Sequence, residues 1–245
     1  MPNQERQAHA ISDRHSRLLK SAKIIKLIGE EQFGRAHDIL EVGCGSGIIS
    51  NALATAGGDR VKVCAVDVAD NRVEKKGYTF QQVDGTTLPY PDKIFDIVVS
   101  NHVIEHVGDR KAQLCHLQEI RRVLKVNGLI YLAVPNKWRV VEPHYRLPLL
   151  SWFPQRICDA YLRLFKRGRY YDCAPLSARH AMALFQDAHL LADNATLRAL
   201  RVTLQAEHSA HPVTRLVNGL LPDWSLAAFL PIIPTFVFLL RPQQP

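Results

Sequence analysis

Apolar positions along the chain fall into short unbroken runs separated by stretches with helical spacing. Residues 14–33 place Leu18, Leu19, Ile24, Ile25 and Leu27 close to a helical period, which predicts an amphipathic helix. An apolar run from Ile39 to Val42 follows. It ends in the glycine-rich turn Gly43-Cys44-Gly45-Ser46-Gly47, after which residues 48–57 have helical character. Residues 61–67, 78–84 and 95–101 predict three further strands. Leu114, Leu117, Ile120 and Leu124 recur as one helical stripe. Asn127-Gly128 marks a turn into an apolar strand over 129–135. Strands that are almost continuously apolar and alternate with helices predict a parallel sheet covered on both faces. Residues 137–175 break the pattern and read as an insert. Beyond them the pattern predicts a helix at about 177–191, a strand at about 196–205 and a final strand around 235–241.

Composition narrows the class. The 245 residues are 47% hydrophobic and 22% charged, which excludes long-range disorder and collagen-like repeats. We read one domain over 1–245, with a core at about 35–136, an insert at about 137–175 and a sheet-completing segment at about 176–241. Five scattered cysteines without a C-x-x-C spacing point to a reducing, cytoplasmic setting with no disulfide framework and no zinc knuckle. The polar first twenty residues lack the apolar core of a signal peptide. The 17 charge-free residues from Trp224 to Leu240 sit at the lower limit for a membrane span, and Pro231 and Pro234 would break a helix there.

The candidate chemistry lies at strand ends, where open α/β sheets bind ligands. Gly43, Gly45 and Gly47 give G-x-G-x-G. The third glycine of a nicotinamide fingerprint would fall on Ile48. Asp67 closes the second strand, where a carboxylate suits a ribose diol. Asp84 closes the third, where it suits an adenine amino group. Two such acids disfavour a phosphate, so an adenosine with a free ribose fits better than NADP.

These residues, with L-P-Y-P-D at 88–92, F-D-I-V at 95–98 and R-V-L-K-V-N-G at 122–128, resemble the class I S-adenosylmethionine-dependent methyltransferases, closest to the broad group that includes quinone-biosynthesis enzymes. The resemblance covers roughly residues 35–136. It implies a Rossmann-like, doubly wound α/β sheet of about seven strands, mostly parallel with an antiparallel last strand, carrying an inserted helical lid. It implies S-adenosylmethionine as cofactor, with Glu41, Gly43, Gly45 and Gly47 near its methionine part, Asp67 at its ribose, Asp84 and Gly85 at its adenine, and Asn101 and His102 lining the reaction centre.

Candidate catalytic groups are His102, after strand four, and Glu142 with His144, after strand five. His102 reads as a general base or as a cofactor-lining residue. The string His102-x-x-Glu105-His106 also has a metal-binding spacing, since positions i, i+3 and i+4 share a helical face. It departs from the E-x-x-E-H of some quinone-pathway and RNA-end methyltransferases, because His102 stands where they have glutamate. No metal ligand is assigned on this basis. Glu142 and His144 read either as an acid–base pair or as polar residues of a Pro-fixed loop.

The chain carries a net charge of +8, and residues 137–170 alone hold eight basic residues against two acidic ones. The same stretch carries Trp138, Tyr145, Trp152, Phe153, Tyr161, Phe165 and Tyr170. Basic, aromatic and apolar residues together suit an anionic membrane surface or an apolar acceptor with a phosphate head. A lid helix with a solvated basic face is the plainer alternative. Nucleic acid is the weaker partner, because Asn101-His102-Val103-Ile104 lacks the Asp/Asn-Pro-Pro-Tyr signature of nucleic-acid amino methylation. The expected partner is therefore a small-molecule or lipid-linked acceptor, methylated at oxygen or carbon. A module that binds the cofactor without turnover is the other reading.

Overall fold

A computed structural model describes residues 13–207, 214, 217–218 and 221–243. Most of the polar opening segment lies outside them. Helix α1 (Arg14–Ile28) starts at Asp13, whose side chain accepts from the His15 amide. Gly29, with φ of 92°, ends it and starts α2 (Glu30–Arg35), so the single helix expected over 14–33 is two.

Seven strands form the sheet: β1 (Asp38–Val42), β2 (Lys62–Asp67), β3 (Thr79–Gln82), β4 (Phe95–Asn101), β5 (Leu124–Pro135), β8 (Leu190–Asn194) and β9 (Thr235–Pro242). Their order is β3-β2-β1-β4-β5-β9-β8. The first five pair in parallel, and β9 runs antiparallel to both β5 and β8. Helices α3 (Ile48–Gly57), α4 (Arg110–Val123), α6 (Ala178–Asp187) and α7 (Thr196–Glu207) cover the faces. Successive strand residues point to opposite sides. Leu40, Val42 and Val98 therefore join one core with Leu117, Ile120 and Leu184, while Ile39, Ile97 and Val99 join the other with Ile24, Leu53 and Ala199.

One expected element changes type. Residues 196–205 form part of α7, and the strand lies just before them at 190–194. Alternating Leu200, Val202 and Leu204 imitate a strand. The residues packed on the core are instead Ala195, Ala199 and Val202, a helical spacing. Asn194 Oδ1 accepts the Thr196 amide at 3.0 Å and starts the helix.

The insert holds a hairpin of β6 (Val141–Glu142) and β7 (Leu147–Pro148), then α5 (Gln155–Leu164). It has a small core of its own around Tyr145, Leu150, Cys158, Leu162 and Tyr171. The charge-free C-terminal stretch divides into α8 (Asp223–Ala227), a single 3-10 turn and β9. Among the described residues no helix is long and apolar enough to cross a membrane.

Candidate active site at the carboxyl edge of the sheet

The strand order reverses between β1 and β4, the position where a crevice opens in such sheets. Register decides which residues meet there. Val42 pairs with Val66 on one side and Ser100 on the other. The next residue of each strand is Gly43, Asp67 and Asn101, so the turn, the acid and the amide share one edge. Val83 donates its amide to Asp67 O at 2.9 Å, which brings Asp84 to that edge. Asp84 is exposed and lies two residues past the end of β3.

The glycines serve this turn in a particular way. Gly43 and Gly47 have φ of 74° and 75°, a region that disfavours side chains. A Cβ on Gly43 would strike Val103, and one on Gly47 would strike the Glu74 carbonyl and the Tyr78 hydroxyl. Both are therefore required by contact with the protein itself. Gly45 donates its amide to Asp67 Oδ2 at 2.8 Å, and Val68 donates to Oδ1 at 2.7 Å. Oδ1 also accepts the Ala69 amide at 3.4 Å, so Asp67 ties the glycine turn to the tip of β2 and Oδ2 is the oxygen that keeps lone-pair capacity for a ligand hydroxyl.

Glu41 lies beneath the turn, buried, and accepts a hydrogen bond from Ser50 Oγ. Burial pushes its carboxyl up to about 8, against the opposing effects of Ser50 and of Arg17 on α1. Asn101 Nδ2 is buried and has no acceptor among the described residues. An orphaned amide beside two acids at the sheet edge fits a polar ligand, because such a group is rarely left unsatisfied. This observation and the open valence of Asp67 match the cofactor that the sequence implies.

His102 follows at the tip of β4 with φ of 60°, uncommon for a side chain outside glycine. Its amide donates to Ala133 O at 2.9 Å, which fixes the turn. Its Nδ1 stands 3.4 Å from Glu105 Oε1. Glu105 is buried, and burial raises its carboxyl, but nearby His102 and His106 outweigh that and hold it below the usual range. Ile104–His106 is a single 3-10 turn. The three residues of H-x-x-E-H therefore do not lie along one α-helical face as their spacing suggests.

Glu142 and His144 occupy different surroundings. Glu142 is fully buried, ion-paired with Arg139, and accepts the Tyr145 amide at 2.8 Å. These partners shape the turn of the β6–β7 hairpin. The His144 ring lies against His106, with centroids 5.8 Å apart. Cys173 Sγ approaches His106 Nδ1 at 3.8 Å. Sequence reasoning missed Cys173, a lone cysteine far along the chain from either histidine. Asp96, at the opposite end of β4, accepts the His37 and Asp38 amides and pairs with Lys125, a structural role.

Comparison with known proteins agrees with this geometry. Residues 40–132 match the methyltransferase domain family Methyltransf_11. A ubiquinone biosynthesis O-methyltransferase of Rickettsia akari is 27% identical over 150 residues, covering 55% of this chain and 55% of the relative. A probable S-adenosylmethionine-dependent methyltransferase of Mycobacterium tuberculosis is 36% identical over 107 residues, covering 42% of this chain and 37% of the relative. The chain thus spans about half the length, or less, of these relatives. The YcgJ protein of Bacillus subtilis shares the fold, with a TM-score of 0.54 at 18% identity over 94% of this chain and 100% of that one. Residues 40–132, which run from β1 to β5 of a sheet that reverses at a glycine turn, thus match a methyltransferase domain, and the chain is similar over that region to S-adenosylmethionine-dependent methyltransferases.

Proposed function

We propose that the protein methylates a hydroxyl oxygen of a lipid-linked acceptor at an anionic membrane surface. The observation that carries this reading is the exposed face of the insert. Ile157, Tyr161 and Leu164 recur along α5 at helical spacing and, with Leu149 and Phe153 just before the helix, line an open groove of about 440 Å³. Exposed Arg156 and Arg163 flank it, and exposed Lys166, Arg167 and Arg169 follow. An apolar stripe with a basic border is how a helix lies in a membrane interface. Some of the relatives are named as O-methyltransferases, which favours oxygen as the attacked atom.

Asp67, Asp84, Gly45 and Asn101 would hold the cofactor. When bound, it supplies a methyl group on a positively charged sulfur. The chain's own task is placement, which in well-oriented reactions is worth about 7–11 kcal/mol. His102, held with Nδ1–H toward Glu105, presents Nε2 to take the acceptor proton. A positioned base adds about 10²–10⁴-fold, and a hydroxyl needs it more than a thiolate does.

The test is transfer of radiolabelled methyl into a fractionated extract, beside liposome pelleting. Label in the lipid fraction and pelleting with anionic vesicles at low salt are expected. Arg163, Lys166, Arg167 and Arg169 reversed to glutamate should abolish pelleting. Label confined to RNA, protein or water-soluble molecules would overturn the acceptor class. Cofactor binding with no label in any fraction would favour a module without turnover.

A further inference from the structure

We propose that His106, His144 and Cys173 form a binding site for a zinc-class divalent metal ion. Each offers one ligand atom, and these atoms lie within 4.8 Å of one another. Cys173 Sγ and His106 Nδ1 are 3.8 Å apart. A tetrahedral ion with ordinary zinc–nitrogen and zinc–sulfur bonds would set them about 3.6 Å apart. That pair needs only a small closure, and a rotation of the His144 ring would complete the set. The backbone around the cluster is already tied: Ala174 donates its amide to Glu105 O at 2.7 Å, and Gln113 Nε2 donates to Ala174 O at 3.0 Å.

Glu105 supplies an independent observation. Its side chain is fully buried, and the polar groups that face its Oε1 are two imidazoles, His102 Nδ1 at 3.4 Å and His106 Nε2 at 3.9 Å. A buried carboxylate is costly unless such groups donate to it. If His106 binds the ion through Nδ1, its Nε2–H points toward Glu105. That is the carboxylate–histidine–metal arrangement, which fixes the tautomer and strengthens the ligand. Glu105 then lies behind the ligand set, unlike a glutamate that binds the ion directly.

The donor types select the metal. Two imidazoles and a thiolate favour zinc and related ions over magnesium or calcium. Binding releases the Cys173 thiol proton to solvent, and the metal offsets the thiolate charge. Asp172 Oδ1 stands 3.5 Å from Cys173 Sγ and accepts the Tyr145 hydroxyl at 2.7 Å, which anchors that side of the site. His144 and Cys173 come from the insert, and His106 from the turn after β4. The ion would therefore clamp the insert to the sheet edge. Three protein ligands leave a fourth position for water or an acceptor oxygen.

Cobalt substitution of the full-length, tag-free chain tests this. Chelator-treated protein should take up about one Co²⁺, show a thiolate-to-cobalt charge-transfer band in the near ultraviolet, and lose it on adding one equivalent of Zn²⁺. Cys173→Ser should abolish the band, and Cys115→Ser should keep it. Folded wild-type protein without the band, or a band that survives Cys173→Ser, would overturn the site. The wild-type spectrum decides even if a variant misfolds. Calorimetry with S-adenosylmethionine on the same samples reports separately on the methyltransferase reading.

Discussion

Glu41 shows how one residue couples the cofactor turn to the stability of the fold. Its carboxyl titrates at about 8 in the folded protein, against an ordinary 4.5. An unfolded chain gives up that proton first. Between those two values the unfolded state holds fewer protons, so stability falls as pH rises, by up to about 1.4 kcal/mol per pH unit. The contribution is fully present below pH 4.5 and lost as pH passes 8. Urea midpoints of wild type and Glu41→Gln compared at pH 5 and pH 9 should shift in favour of the variant by at least about 2 kcal/mol. Parallel pH profiles would show that Glu41 is not held protonated. At this scale the acids were legible and their supports were not. Asp67 and Asp84 could be read as strand ends from the apolar runs before them. The need for glycine at 43 and 47 arises from Val103, Glu74 and Tyr78, which no local pattern connects to the turn.

Elements follow the apolar pattern wherever tertiary contacts agree with it. The strands β1, β2, β4 and β9 lie where the sequence places them, because each is buried over most of its length. Strand β5 instead starts early, at Leu124, so that the expected last residue of the helical stripe and the expected turn at Asn127-Gly128 lie inside the strand, beside a register irregularity against β4. The segment 190–205 misleads because its alternation is exposed or half-buried, while small alanines make the real contacts. Asn136 joins elements that the sequence leaves unrelated. It is fully buried, and its Nδ2 donates to Pro231 O at 2.7 Å and Ile233 O at 2.9 Å. Its Oδ1 accepts the Trp138 amide at 2.9 Å. The end of β5, the start of the insert and the segment before β9 therefore share one side chain. Asn136→Ala leaves three backbone groups without their partner, at about 1–3 kcal/mol for each that water does not reach. We expect a lower melting temperature and faster hydrogen exchange at 231–238. Unchanged exchange there would remove Asn136 from this role.

At the scale of the whole molecule, a sheet that reverses between β1 and β4 gathers one edge for the cofactor, and the insert leaves the sheet from β5 at that same edge. The sequence makes the cofactor half readable because its residues are local to strand ends. The cluster beyond the cofactor edge is less readable, since Glu105, His106, His144 and Cys173 meet only through folding. Most of the net positive charge falls within the insert, on residues other than the strand ends that carry Asp67 and Asp84. Binding of the cofactor and docking of the acceptor are thus separable, and charge reversal on the insert should leave the first intact.

Titration calorimetry with S-adenosylmethionine, run on wild type and on Asp67→Ala with matched melting curves, reaches the centre of this account. Saturable binding at submillimolar concentration or tighter, weakened at least about tenfold (roughly 1.4 kcal/mol) by the substitution, is the predicted result. A folded wild-type protein that takes up no cofactor, or a variant that binds as tightly as wild type, would contradict it.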